Sequence, residues 1–163
     1  MSDKIIKFLA HNGKISVICA DTTEMVEKAR QTHDMSPVVT AGFGRLLTIT
    51  AIMATEMKGI KDKLTVQLKG NGPIGLMIAT ANNKPIVKGY ATNPVVDIPL
   101  NEDGKLDVGG AVGYEGYINV VKDLGLKDPY IGISPLVSGE IAEDFANYFV
   151  NSEQRDSAVA LGV

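Results

Sequence analysis

The stretch from Ser36 to Met57 restricts what this chain can fold into more than any other. It is apolar on nearly every side and almost long enough to cross a bilayer. Yet Arg45 lies near its centre, Thr40, Thr48, Thr50 and Thr55 are spread along it, and charge follows at Glu56 and Lys58. A central arginine costs about 2.5–3.5 kcal/mol on insertion scales, so a helix buried in protein is the better reading than a membrane span. Ser36 and Pro37 form its start, a hydroxyl N-cap followed by a proline whose missing N–H costs nothing at the first helical position. Gly59 is a natural stop. Ala41, Gly42, Gly44, Ala51 and Ala54 keep the helix narrow, so neighbours can come close, and a helix apolar all round must be covered on more than one side. A long buried helix over about 36–58 is therefore expected.

The rest of the chain has to supply that cover. A chain of 163 residues can bury roughly 68–70% of its unfolded surface without disulfides or a structural metal. With 45% hydrophobic and 21% charged residues it is globular rather than disordered. Its 16 basic against 19 acidic residues argue against an electrostatic nucleic-acid binder, which needs a basic stripe. Cys19 is the only cysteine, which excludes an intramolecular disulfide framework and a multi-cysteine zinc site within this chain. The first residues run directly into a short apolar stretch, Ile5 to Ala10, with no secretory-signal organisation, so the reducing cytoplasm is the expected compartment.

Apolar patterning around the helix predicts mostly sheet. Ile5–Ala10 and Lys14–Ala20 flank His11-Asn12-Gly13, and Asn-Gly favours a hairpin turn. Thr22 or Thr23 is expected to cap a helix through about Thr32. Leu64, Val66 and Leu68 alternate with polar residues, Asn71-Gly72 turns the chain, and Ile74–Ala81 and Ile86–Ala91 continue an antiparallel meander. Tyr117–Lys122 reads as a further strand. Ser138 is expected to cap an amphipathic helix over about 138–151, with Ile141, Phe145 and Phe149 on its buried face and Glu140, Glu143 and Asp144 as a solvated N-terminus. The stretch 157–163 reads as the beginning of a strand, which suggests a chain cut short at its C-terminal end. The expected fold is α+β, one domain over 1–163, with largely antiparallel sheets packed around the long helix and the second helix outside.

Chemistry is sparse. Gly70-Asn71-Gly72-Pro73-Ile74-Gly75 is a literal G-x-G-x-x-G after a strand, but no room for a helix follows, so a hairpin turn explains it better than a dinucleotide site. Gly109 to Gly113 lacks the lysine of a phosphate loop and reads as a tight turn or bulge. His11 and His33 belong to no catalytic signature, and Cys19 shares a strand face with Ile15 and Val17, as a small buried hydrophobe would. No catalytic, cofactor-binding or metal-ligating residue is nominated. The residues favour a binding protein over an enzyme, against two alternatives: a small-molecule or nucleotide-binding enzyme using the glycine-rich turns, and a structural assembly module.

Four long blocks carry a resemblance. KLTVQLKGNGPIG at 63–75, GKLDVGGAVG at 104–113, VKDLGLKDPY at 121–130 and PLVSGEIAED at 135–144, continued by SEQ at 152–154 and SAVALGV at 157–163, resemble the redox-regulated heat-shock chaperone family, the 33 kDa chaperonins. The resemblance implies the N-terminal domain of an ATP-independent holdase of the bacterial cytoplasm, which binds unfolding clients under heat and oxidative stress. It implies an α+β arrangement of the same kind, and an apolar client surface whose residues no motif marks. An open apolar surface also promotes self-association, so a homodimer is expected, with exchange of elements near the C-terminal strand as one route. In the family, a linker and a C-terminal zinc domain follow, and that domain's four cysteines bind zinc when reduced and form disulfides when oxidised. Cys19 is not one of them, so the zinc and redox roles carry over to no residue of this chain.

Overall fold

The computed structural model describes residues 2–162. The apolar stretch forms α2 (Pro37–Ala54), with Ser36 extended at its N-cap and Pro37 opening the helix. By length and composition this helix could cross a membrane, but 72% of it is buried inside the protein. Its small residues set how close the neighbours come. A Cβ on Gly44 would sit 2.8 Å from Val26 Cγ1, on α1 (Thr23–His33), and one on Gly42 would touch Ile74 and Val108 at 3.5 and 3.6 Å. Thr22 and Thr48 share a hydroxyl hydrogen bond of 2.7 Å across the junction of α1 with α2.

Two antiparallel sheets flank the helix. The smaller is the hairpin β1 (Lys4–Ala10) and β2 (Ile15–Asp21), turned through His11, Asn12 and Gly13, all at positive φ. The larger runs in the order β5-β4-β3-β6-β7, from β3 (Lys63–Lys69), β4 (Leu76–Asn82), β5 (Val87–Ala91), β6 (Tyr117–Asp123) and β7 (Tyr130–Pro135). The alternation at 64–68 has the predicted consequence. Leu64, Val66 and Leu68 are fully buried, along with Met77, Ala79, Ile118 and Val120 beside them, under α2 and α4 (Ala142–Glu153). These side chains join Phe43, Leu46, Phe145 and Tyr148 in one continuous core.

Several local expectations change. The last helix begins at Ala142 rather than Ser138, because the cap comes from inside the helix. Asp144 accepts hydrogen bonds from the amides of Val137, Ser138, Gly139 and Ile141, at 2.7–3.3 Å. Asp144 is therefore fully buried instead of solvated. Ile141 sits at φ 73, with the Ala142 amide bonded to the Glu140 carbonyl at 2.9 Å, a strained γ-turn that this carboxylate holds in place. Glu140 is also engaged, pairing at 2.7 Å with Arg45 and accepting from the Gly109 amide. Glu143 alone of the three is exposed as expected.

The glycines at 109 and 110 form neither turn nor bulge but α3 (Val108–Val112), a single helical turn capped by Asp107 on the Gly110 amide. Thr22 flanks α1 without a side-chain cap; the Asp3 carboxylate, just before β1, caps the helix, accepting from the Glu24 and Met25 amides at 2.8 Å. Cys19 is exposed, because the strand face it shares with Ile15 and Val17 points away from α2. Residues 157–162 are irregular rather than a strand, with Val159 and Leu161 laid against the core, and Val163 lies outside the described residues. β7 was not foreseen.

Candidate interaction surface

Cross-strand register decides which side chains share a sheet face. On the large sheet, α2 and α4 take one face, and among the described residues no helix packs on the other. That uncovered face carries Tyr90, Ile78, Gln67, Asn119 and Ile133 in one row, and Lys88, Thr80, Thr65, Val121 and Ile131 in the next. Leu76, Lys69, Tyr117 and Pro135 make a third. Ile133 is 64% exposed and Ile131 57%, with Tyr117 on the neighbouring strand and Tyr90 at the far edge also open to solvent. Leu124 and Leu126 in the β6–β7 loop, and Val137 past the other end of β7, are exposed as well. Large side chains gathered on one open face mark an interaction site rather than scattered surface apolarity.

The edge of this sheet is better protected than its face. Carbonyls of β7 are taken by α4: Ser152 Oγ donates to the Ile133 carbonyl at 3.1 Å and Asn147 Nδ2 to that of Pro135 at 3.4 Å. The Tyr130 hydroxyl returns a bond to the Ser152 carbonyl at 2.9 Å. Pro135 also has no N–H to offer, so this edge is a poor template for an added strand. Behind it, the Tyr148 hydroxyl donates to Glu153, which also pairs with Lys122, and burial foremost raises the Tyr148 pKa.

A second apolar surface lies on the hairpin. Ile6 faces Cys19, Phe8 faces Val17 and Ala10 faces Ile15. Ile6, Phe8 and Ile15 are each about half exposed. The opposite side of the hairpin, with Ile18 and Ala20, lines a cleft of about 750 Å³ shared with α1, α2 and residues 158–162. At its margin Glu27 is bonded by Arg30 and Gln31, which hold its carboxyl down at about 2.

The residues singled out for chemistry are scattered. His11 is exposed in the hairpin turn, while His33 ends α1 with its ring edge-on to Phe43 at 6.4 Å. The glycine run at 70–75 turns β3 into β4, as its context required. Its amides at Gly72 and Ile74 bond the carbonyls of Val112 and Ala111, and a Cβ on Gly70 would lie 2.1 Å from the Val112 oxygen. These glycines admit α3, not a phosphate. Register could not be read from the sequence for β7, so the row through Ile131 and Ile133 was invisible there; the only signal was an alternation of isoleucine with glycine and serine.

Fold and surface together define an α+β core whose larger sheet carries exposed apolar side chains on the face away from α2 and α4. The comparisons give it a family. The model of the Hsp33 protein family matches residues 3–163. The chain is 52% identical over its full length to the 33 kDa chaperonins of Thermoanaerobacter pseudethanolicus and of Clostridioides difficile, covering 55% and 56% of them. The crystal structure of the 33 kDa chaperonin of Thermotoga maritima superposes with a TM-score of 0.88 at 43% identity, over 94% of this chain and 52% of that one. This chain belongs to the Hsp33 family, and it spans about half the length of the curated relatives it matches. The zinc attached to the family by resemblance does not fit the residues present. Among the described residues no three His, Cys, Asp or Glu side chains gather, and Cys19 stands without another thiol.

Proposed function

We propose that this chain is the client-binding part of an ATP-independent holdase of the bacterial cytoplasm, and that it is not an enzyme. In this reading it captures unfolding proteins under heat and oxidative stress, while zinc binding and redox switching belong to sequence beyond these residues. The observation that carries the reading is the uncovered face of the five-stranded sheet, where Tyr117, Ile131 and Ile133 lie open with no helix over them among the described residues. Apolar contact there gains about 25 cal/mol per Å² buried and is indifferent to sequence, as a holdase requires. Membership of a family whose relatives are named chaperonins supports the same reading, whereas the glycine-rich turns are filled by α3 and support no nucleotide.

A homodimer is part of the proposal, with the apolar side of the β1–β2 hairpin as its contact. Exchange of the 157–162 segment near that hairpin is one route to it.

Aggregation suppression tests the holdase reading. A chemically denatured client is diluted into buffer containing the chain, once with reductant and once with peroxide, and light scattering is followed. Protection is expected in both conditions and to the same extent, since the chain holds one thiol and no switch. Absence of protection from chain shown to be folded by circular dichroism would assign client capture to sequence outside this chain.

A further inference from the structure

We propose that the open sheet face selects client segments in which acidic residues accompany the apolar ones; this rests on the reading of that face as the client site. Its lysines are the reason. Lys63 and Lys69 stand at the two ends of β3, the central strand, and Lys88 stands on β5 beside Thr80. All three are exposed, and among the described residues none forms an ion pair. The cations that the fold does pair lie elsewhere. Arg45 pairs with Glu140, Lys122 with Glu153, and Arg155 with Glu56.

One acid shares that face, Asp123, the cross-strand neighbour of Lys63. Around its margins Lys61, Lys84 and Lys127 stand against Glu115 and Asp128, so the balance remains positive on a chain whose net charge is −3. Between the lysines, Gln67 and Asn119 hold each other through an amide hydrogen bond of 3.4 Å, and Asn119 Oδ1 has no partner. An extended segment lying across β3 would meet apolar surface on both flanks, from Ile78 and Tyr90 to Ile131 and Ile133, with ammonium groups along its middle. Polypeptide with carboxylates spaced among apolar side chains complements that pattern, and polypeptide with lysines repels it.

The test uses three labelled peptides with one apolar core of valine, phenylalanine and serine, flanked by glutamate, serine or lysine, titrated with the full chain by fluorescence anisotropy. Affinity is expected to fall in the order glutamate, serine, lysine, with about tenfold between the extremes at low ionic strength, since each exposed contact contributes up to roughly fivefold. The spread should close at about 1 M salt, where the screening length is about 3 Å. Neutralising the three lysines together, Lys63→Gln, Lys69→Gln and Lys88→Gln, should equalise the peptides, and Lys→Glu at the same positions should invert their order. Equal, salt-insensitive binding of all three peptides that Ile133→Ser still weakens would overturn the charge selection and leave the client site standing. Binding that neither the lysine changes nor Ile133→Ser and Tyr117→Ser alter would overturn both.

Discussion

Asp144 shows how one carboxylate can organise a whole segment. Four loop amides, those of Val137, Ser138, Gly139 and Ile141, converge on it, and none has another acceptor in the loop. Removing the carboxylate leaves the buried amides of Gly139 and Ile141 without an acceptor, which is costlier than the hydrogen bonds were worth. Asp144→Ala is expected to destabilise the chain by about 3 kcal/mol, a size reached by losing a buried hydrogen-bond network, and to lower the urea midpoint accordingly. Asp144→Asn, keeping one carbonyl oxygen but no charge, should fall in between. A loss under about 1 kcal/mol for the alanine variant would mean that water replaces the carboxylate. The sequence could not distinguish this role. Ser138 has the residue type and position of an N-cap, and only the strained turn at Ile141 makes the helix start four residues later.

At the scale of elements, what could be read from the sequence was whatever a strand or helix decides by itself. The all-round apolarity of α2 announced burial, and the alternation at Leu64, Val66 and Leu68 announced a face. What depends on a partner was hidden: β7, whose Gly132 packs beneath the Tyr148 ring, and α3, whose Ala111 and Val112 backbone fits against the glycines of the β3–β4 turn. Residues 157–162 failed in the other direction, since an apolar extended run becomes a strand only beside an available edge. The uncovered face was illegible for the same reason as β7. The contact of α1 with α2 offers a test of how tightly elements fit. Gly44→Ala gains about 1 kcal/mol of helix propensity but drives a Cβ to 2.8 Å from a stiff valine methyl, an overpacking cost of about 1–3 kcal/mol. A net loss of stability is expected, and Val26→Ala should relieve it, so that the double variant is more stable than the two single losses predict. Strict additivity in denaturant melts would mean that the helices separate without cost.

The whole molecule presents two apolar surfaces with different neighbours. The large sheet face is broad, flanked by free lysines and closed at its β7 edge by Ser152 and Asn147, so it accepts contact across its face rather than strand by strand. The hairpin surface is narrow and carries no charge between Ile6, Phe8, Val17 and Cys19, a pattern suited to a copy of itself. If the division of roles holds, the two are separable by single substitutions at exposed positions, where folding has little to lose. Ile133→Ser is expected to weaken client protection severalfold while leaving the sedimentation coefficient unchanged. Phe8→Glu, which places charge in the hairpin contact, is expected to shift the chain toward monomer in sedimentation velocity at constant protection per chain. The reverse assignment, with Phe8→Glu abolishing protection and Ile133→Ser dissociating the oligomer, would move client capture to the hairpin and make the sheet face the subunit contact. Loss of protection in both variants together with dissociation in both would mean that clients are held only by the assembled dimer, across surfaces from two chains.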